Sequence, residues 1–396
     1  MSLNRSFISL FSGCGGFDIG YVAVGFEPLA AFESDANIAK QYRANIGVPA
    51  YVTDLAANFP ASSSWRGLST VISGPPCQGF SVAGLRNPID PRNRLLPLAG
   101  ELSMRLRPLV IVIENVPAAR SGSHARYWVE LETRMRLAGY WTHTLILEAL
   151  ELGMAQRRRR IFLIAWRTRR FPDFDLRHRP AGRLDHVLTG VESLKNHDPK
   201  PLLLGTRLYK IAQRIGPGQK LSNVRGGPRA VHTWHIPEVF GRTTAAQCSV
   251  LETIMQIRRS ERRRDFGDAD PVSVRRLLSE FGPTVVNTVD VLVRKNYLRR
   301  VGNNIDLVHT FNGKCRRARW EDVTSTVDTR FGDPHLFLHP NENRPFTVRE
   351  AARLQGFPDS IVFGGSEHEQ FKMIGNAVPP RMGEATAEIV NQLLGL

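Results

Sequence analysis

Residues 6–20 read SFISLFSGCGGFDIG. Phe7, Ile8, Leu10 and Phe11 make an apolar run suited to a buried strand. Gly13, Cys14, Gly15 and Gly16 then form a glycine-rich loop, and a helix is expected to lead out of it. Glycine there permits positive φ and close approach of backbone to a ligand. Glu33 closes the next apolar run, PLAAFESD, about 20 residues on, where a carboxylate can hold a ribose hydroxyl. The spacing GxGGxxxG departs from the strict dinucleotide fingerprint. Alone, the stretch fits either a tight α/β turn or a crevice for an adenosine-containing cofactor.

Further strands are expected outward from this unit, at STVISGPP, PLVIVIENV and RIFLIAW. Their apolar runs are continuous rather than alternating, as in strands buried on both faces. Helical stretches lie between them, including DANIAKQYRANIG and HARYWVELETRMRLAGY. The expectation is an α/β fold with a Rossmann-like, mostly parallel sheet and a second, smaller domain. Composition changes near residue 168, where arginine and Pro/Gly-rich loops become dense, and changes back near 343. The domains expected are 1–167 with 344–396, and 168–343. Met382, Ala385, Ile389 and Leu393 form an apolar stripe at near-helical spacing in the last segment.

The middle region holds a sub-pattern over about 244–312. Thr244 to Gln247 fits a capping box. Asp270 and Pro271 fit an N-cap and first helical residue. Val274, Leu277, Leu278 and Phe281 follow at helical spacing, then Val285, Val289 and Leu292, then a hairpin turning at Gly302-Asn303-Asn304. That order is shared by a winged helix-turn-helix and by an ordinary α+β insert.

The formal net charge is +16 over 396 residues, which favours a polyanionic partner such as nucleic acid. Cys14, Cys77, Cys248 and Cys315 are scattered without a CxxC pair, so no metal site or disulfide framework is expected. No apolar run is long enough to span a bilayer and no signal core opens the chain. A cytoplasmic, nucleoid-associated monomer with no membrane partner is the expectation.

Three constellations carry possible chemistry. Cys77 stands in ISGPPCQGFS, behind two prolines that stiffen the loop. Basic surroundings favour its thiolate, although a lone cysteine is also a common structural residue. Glu114 and Asn115 end PLVIVIEN at a sheet edge, where partial burial would raise the carboxyl pKa and let it donate a proton. A helix N-cap acid is the alternative. Arg157 to Arg160 precede a strand, so Arg158 and Arg160 are expected on one face and Arg157 and Arg159 on the other. One face suits a pocket and the other a phosphate backbone, or the run is a solvated patch.

Taken in order, FSGCGGFDIG, ESD, TDL, GPPCQGFS, ENV, QRRRR, RPFTVREAARLQGFPD and MIGNAVPP resemble the DNA cytosine-5 methyltransferase family. The resemblance covers residues 5 to about 167 and 343 to 396, and leaves out most of the middle region. It implies the S-adenosylmethionine-dependent methyltransferase fold, with 168–343 as a target-recognition domain. It implies methyl transfer from S-adenosylmethionine to carbon-5 of cytosine, flipped out of duplex DNA. Cys77 would add to carbon-6, Glu114 would serve ring nitrogen 3, Arg160 would contact the base carbonyl and Arg158 would support it. Residues 81–93 look like the family's mobile loop.

For the cofactor, the resemblance implies Phe11 along the adenine and Gly13, Cys14, Gly15 and Gly16 at the methionine end. Glu33 would take the ribose and Asp54 the adenine amino group. Pro75 and Leu95 would be walls, and Asn376, Ala377 and Val378 would close the cleft. Arg344, Arg349 and Glu350 would hold the two domains together. A cognate restriction endonuclease is an implied partner. An RNA cytosine-5 methyltransferase, or a DNA-binding regulator on the same fold, are the alternatives. Two departures stand out: ESD carries no aromatic residue after its glutamate, and a winged-helix-like segment is not standard for the family.

Overall fold

The computed structural model describes residues 5–60, 62, 65, 67–76, 90–176, 178–262 and 270–396. Seven strands form one sheet: β1 (Ser6–Leu10), β2 (Glu27–Glu33), β3 (Ala50–Val52), β4 (Thr70–Ser73), β5 (Val110–Asn115), β6 (Trp141–Glu148) and β7 (Arg159–Trp166). Their order is β3-β2-β1-β4-β5-β7-β6. All neighbours are parallel except β7, which runs antiparallel to both β5 and β6. The chain winds one way from β1 through β2 to β3, then returns to β4 on the other side of β1. A switch in strand order of this kind opens a crevice at the carboxyl ends of the strands.

The helices α1 (Gly16–Ala23), α2 (Ala36–Ile46), α3 (Leu95–Arg105) and α4 (Ala125–Leu137) connect these strands. Asp35 caps α2 by accepting from the Asn37 and Ile38 N–H groups, and Gly47 ends it at φ 82°. The sheet is buried on both faces, and β5 divides its residues accordingly. Val110 and Val112 join Phe7, Phe17 and the terminal helix Pro380–Leu394. Ile111 and Ile113 join Leu96, Trp128 and Leu131 on the opposite side. This is strand periodicity of two acting on an unbroken apolar run.

The terminal helix carries the expected stripe, with Met382, Ala385, Ile389 and Leu393 all buried. It lies against α1 closely enough that a Cβ on Gly20 would come within 2.3 Å of the Pro380 carbonyl oxygen. Gly383 answers from the other helix, where a Cβ would meet the Phe17 carbonyl oxygen at 2.6 Å. Glycine at both positions allows the two backbones to touch. Among the described residues no helix is long and apolar enough to cross a membrane.

Contacts divide the chain into two compact units. The first contains Met1–His197, Glu321–Arg330 and Val348–Leu396; the second contains Asp198–Trp320 and Phe331–Thr347. The division falls at Asp198, whereas the change in composition begins near 168. Residues just past 168 lie on the sheet: Phe174 stacks on His143 at 3.7 Å, and Phe171 meets Trp141 edge-on at 5.4 Å. The segment Glu321–Arg330 is threaded back into the first unit through Arg157 N–H to Thr324 O and Thr324 N–H to Ala155 O, both 2.9 Å.

In the second unit, the helix Ala245–Ser260 starts with the capping box of Thr244 and Gln247. The next helix is Val274–Phe281, and its N-cap is Ser273, whose hydroxyl accepts from the Arg276 N–H at 3.2 Å. Asp270 and Pro271 therefore do not start it. Val272 and Ser273 instead pair with Ile305 and Asn304 as a third strand beside the hairpin. Leu277 is buried and Leu278 is 37% exposed, so the stripe is narrower than its spacing suggests. The helix Val285–Arg294 buries Val285, Val289 and Leu292, and the hairpin pairs Leu298–Val301 with Asn304–Leu307 across Gly302 at φ 59°.

Candidate active site

The loop after β1 crosses the carboxyl edge of the sheet. Phe11 has φ 53°, a left-handed conformation that a bulky residue adopts only under constraint from its surroundings. It packs against two apolar clusters, one with Ile8 and Leu10 and one with Leu96 and Ile111. The Ser12 N–H donates to Phe32 O and the Gly13 N–H donates to Glu33 Oε2, both at 3.0 Å. The other Glu33 oxygen accepts from the Asp35 N–H at 2.9 Å. Glu33 is thereby fixed between the glycine loop and the start of α2.

The remaining cofactor candidates surround this loop. The Thr53 N–H donates to Glu33 O at 2.9 Å, which brings exposed Asp54 to the end of β2. One Asp54 carboxylate oxygen accepts from the Ala56 N–H, and Ala56 lines a surface cleft together with Leu95. A Cβ on Gly74 would lie 3.7 Å from Phe11 O and 3.8 Å from Val378 Cγ2, so the ends of β1 and β4 meet the segment after Asn376. Gly16 faces the same segment, and a Cβ there would strike Val378 O at 2.4 Å. Gly15, at φ 89°, sits over Tyr42 and Ile46. Asn376 is exposed, while Ala377, Val378 and Pro75 are buried.

Cys14 is the wrong cysteine for chemistry. It is buried, its thiol donates to Met373 O at 3.6 Å, and burial pushes its pKa up to about 12. Cys77, with residues 78–89, lies outside the described residues. The chain leading to it is described through Pro76, and Asn115 Nδ2 donates to Pro75 O at 3.3 Å.

Glu114 and Arg160 meet because β7 is antiparallel to β5. Glu114 lies opposite Phe162, so Arg160, two residues earlier on β7, is its diagonal neighbour on the same face. Arg160 Nε is 2.8 Å from Glu114 Oε1. Burial pushes the Glu114 pKa up, while the charges of Arg160 and Arg158 pull it down, with burial the larger effect. Arg157 and Arg159 are exposed on the opposite face. Arg158 is 1% exposed and donates to the carbonyls of Val327 at 2.9 Å, Gly375 at 3.1 Å and Ala377 at 2.9 Å. It joins β7 to the end of the helix Glu367–Asn376, beside the cofactor candidates.

Two buried constellations escaped the sequence. Gln156 donates to Leu354 O and to Gln355 Oε1, and accepts from the Val327 N–H. Asp18 is fully buried and accepts from Tyr42 OH at 2.7 Å and Ser9 Oγ at 3.1 Å. Both lie within quoted motifs, but spacing alone carries no sign of their partners. Arg349 is also buried, with its donors on the carbonyls of Lys195, Pro358 and Ile361.

Comparison with known proteins shows the family. The family model described as C-5 cytosine-specific DNA methylase matches residues 5–392. Type II methyltransferase M.HgiBI of Herpetosiphon aurantiacus is 27% identical over 423 aligned positions, covering 94% of each chain. Type II methyltransferase M1.HphI of Haemophilus parahaemolyticus is 29% identical, covering 98% of this chain and 87% of its own. Among solved structures, the Entamoeba histolytica methyltransferase EhMeth shares the fold at a TM-score of 0.56 and 14% identity, over 98% of both chains. The chain therefore belongs to the C-5 cytosine-specific DNA methylase family, and it is a DNA cytosine-5 methyltransferase.

Proposed function

We propose that this chain methylates one cytosine within a specific duplex sequence, with the base flipped into the first unit and Cys77 as nucleophile. The observation that carries the reading is the Glu114–Arg160 pair at 2.8 Å, beside Asn115, which holds the loop two residues before Cys77. A buried carboxyl with a raised pKa suits donation to ring nitrogen 3. The Cys77 thiolate adds to carbon-6, which makes carbon-5 nucleophilic enough to take a methyl group. The proton at carbon-5 then passes to water, and the cysteine leaves. Arg160 holds the base carbonyl, and Arg158 positions the segment that ends in Ala377 and Val378.

S-adenosylmethionine, when bound, supplies the electrophilic methyl group. The residues present fit it. A fixed acceptor stands at Glu33, exposed Asp54 and Asn376 lie to either side, and glycine at 74 leaves room between Phe11 and Val378. Gly13, Cys14, Gly15 and Gly16 offer backbone, and Pro75 and Leu95 offer apolar wall.

Recognition of the target falls to the second unit, Asp198–Trp320 with Phe331–Thr347, which overlaps most of the 168–343 region. It holds 24 lysines and arginines against 12 acids, so most of the excess of +16 is concentrated there. The order of helices and hairpin supports a winged-helix-like segment over about 244–312. The type II names of the relatives support a role as the modification enzyme of a restriction–modification system. Bisulfite sequencing of host DNA after expression tests the whole reading. One recurring methylated motif is expected with the natural chain and none with Cys77→Ser. Equal methylation by that variant would remove Cys77 from the mechanism.

A further inference from the structure

The helix Val285–Arg294 has two faces. Val285, Val289 and Leu292 are buried against the rest of the second unit. Asn287, Asp290, Val291 and Arg294 recur at i, i+3, i+4 and i+7 on the opposite side, with Asn287 and Arg294 exposed. The preceding helix ends at Phe281, and Gly282, Pro283 and Thr284 make the connection, a short glycine-containing turn of the kind that joins paired helices.

The hairpin fixes which side is open. Arg300 on its first strand forms an ion pair with Asp290. The hairpin packs Leu298, Ile305 and Leu307 into the same cluster as the buried face of the helix, and Arg300 reaches Asp290 at the edge of the outward face. Asp306 on its second strand is held by buried Arg258 at 2.8 Å and by Arg299 at 2.7 Å, which anchors the hairpin to the helix Ala245–Ser260. Lys295 donates to Arg242 O and Gln247 Oε1, which ties down the end of the outward helix. The face is thus rigidly presented, and its acid is already neutralised by Arg300.

We propose that this face enters the major groove of the duplex and reads base edges through Asn287, Val291 and Arg294, with the hairpin lying along the backbone. The proposal rests on the reading of the chain as a duplex-DNA methyltransferase, and assigns the specificity to particular side chains. Asn can bond adenine in two places, Arg can do the same with guanine, and an aliphatic side chain meets the thymine methyl. A helix of ten residues fits the groove. The twofold excess of basic over acidic side chains in this unit supplies the attraction to phosphate.

The test uses the full chain with Asn287→Ala and Arg294→Gln, made singly, with circular dichroism as the check on folding. Each protein is presented with a duplex library carrying randomised sequence. Methylation is read by bisulfite sequencing, and duplex affinity by fluorescence anisotropy. Each variant is expected to lose about tenfold to hundredfold of its preference at one base pair of the motif, with a raised KM for DNA and unchanged cofactor affinity. An unchanged motif and unchanged KM in both folded variants would overturn the assignment. If the natural chain transfers no methyl group, the proposed reaction fails, and duplex affinity still decides this inference. Weakened binding by the variants then supports it, and equal binding, or a preference for hairpin RNA over duplex, sinks it.

Discussion

Asn115 Nδ2 donates to the Pro75 carbonyl at 3.3 Å, so the end of β5 holds the loop that leaves β4. The same asparagine accepts from the Val116 N–H through Oδ1 at 2.9 Å, which fixes its amide orientation. Pro75 stands two residues before Cys77. A single side chain thereby relates the strand of Glu114 to the chain that leads to Cys77, the proposed nucleophile.

Asn115→Ala should lower kcat while leaving S-adenosylmethionine affinity nearly unchanged. Misplacing a nucleophile by about 1 Å costs on the order of 100-fold, and a loss of that scale is expected. Single-turnover methylation, together with a cofactor titration, checks it. Equal falls in kcat and cofactor affinity would mean that Asn115 only supports the fold.

In the proposed reaction Glu114 must carry a proton to donate to the ring. Burial raises its pKa and Arg160 opposes that rise. The rate should therefore fall as pH increases through the folded pKa. Glu114→Gln does not titrate, so that limb should disappear on a much lower plateau. Arg160→Met removes the nearest opposing charge, so the limb should move to higher pH. The pH profile of kcat/KM for the three proteins decides this.

Asp18 gives a pH effect on stability. Two hydroxyl donors favour its charged form, but burial is the larger cause and pushes its pKa up to about 6 from 3.8. The folded state then binds more protons than the unfolded state between these values. The Asp18 contribution to stability is fully present below pH 3.8 and is lost as pH rises through about 6. Asp18→Asn keeps partners for Tyr42 and Ser9 and cannot ionise. Its Tm relative to the natural chain should rise between pH 4 and about 7, which thermal unfolding across that range measures.

Arg158→Met would remove the buried donor to the carbonyls of Val327 and Gly375, while Ala377 O would keep its bond from Gln355 Nε2. A loss of roughly 3 kcal/mol or more is expected, since bonds to a charged donor are each substantial. Urea unfolding reads it. A raised KM for S-adenosylmethionine should accompany the loss, because Ala377 is itself one of the cofactor candidates.

Much of the sheet was legible because β1, β4 and β5 are unbroken apolar runs that end in chemically distinctive loops. The face alternation of Arg157 to Arg160 was legible for the same reason, as a strand's period is fixed. The antiparallel direction of β7 was not, because direction leaves no mark on periodicity. Yet that direction is what sets Arg160 against Glu114. The start of the helix after Asp270 was misread because Asp-Pro is a good local start signal, and pairing of Val272 with Ile305 overrode it. Asp18 is not legible in the sequence, because a carboxylate near the start of a helix reads as a favourable first-turn acid, and its burial depends on Tyr42, 24 positions away.

The contact between Gly20 and Gly383 has a consequence for biosynthesis. The helix Gly16–Ala23 is covered by the helix Pro380–Leu394, so the sheet lacks one of its lids until residue 394 has left the ribosome. A nascent chain halted earlier would display α1 and the Phe17–Tyr21 side as bare greasy surface, open to chaperones and proteases. Active enzyme should therefore emerge only after synthesis of the final helix, and removal of that helix should abolish folding of the sheet while sparing the contiguous core of Asp198–Trp320.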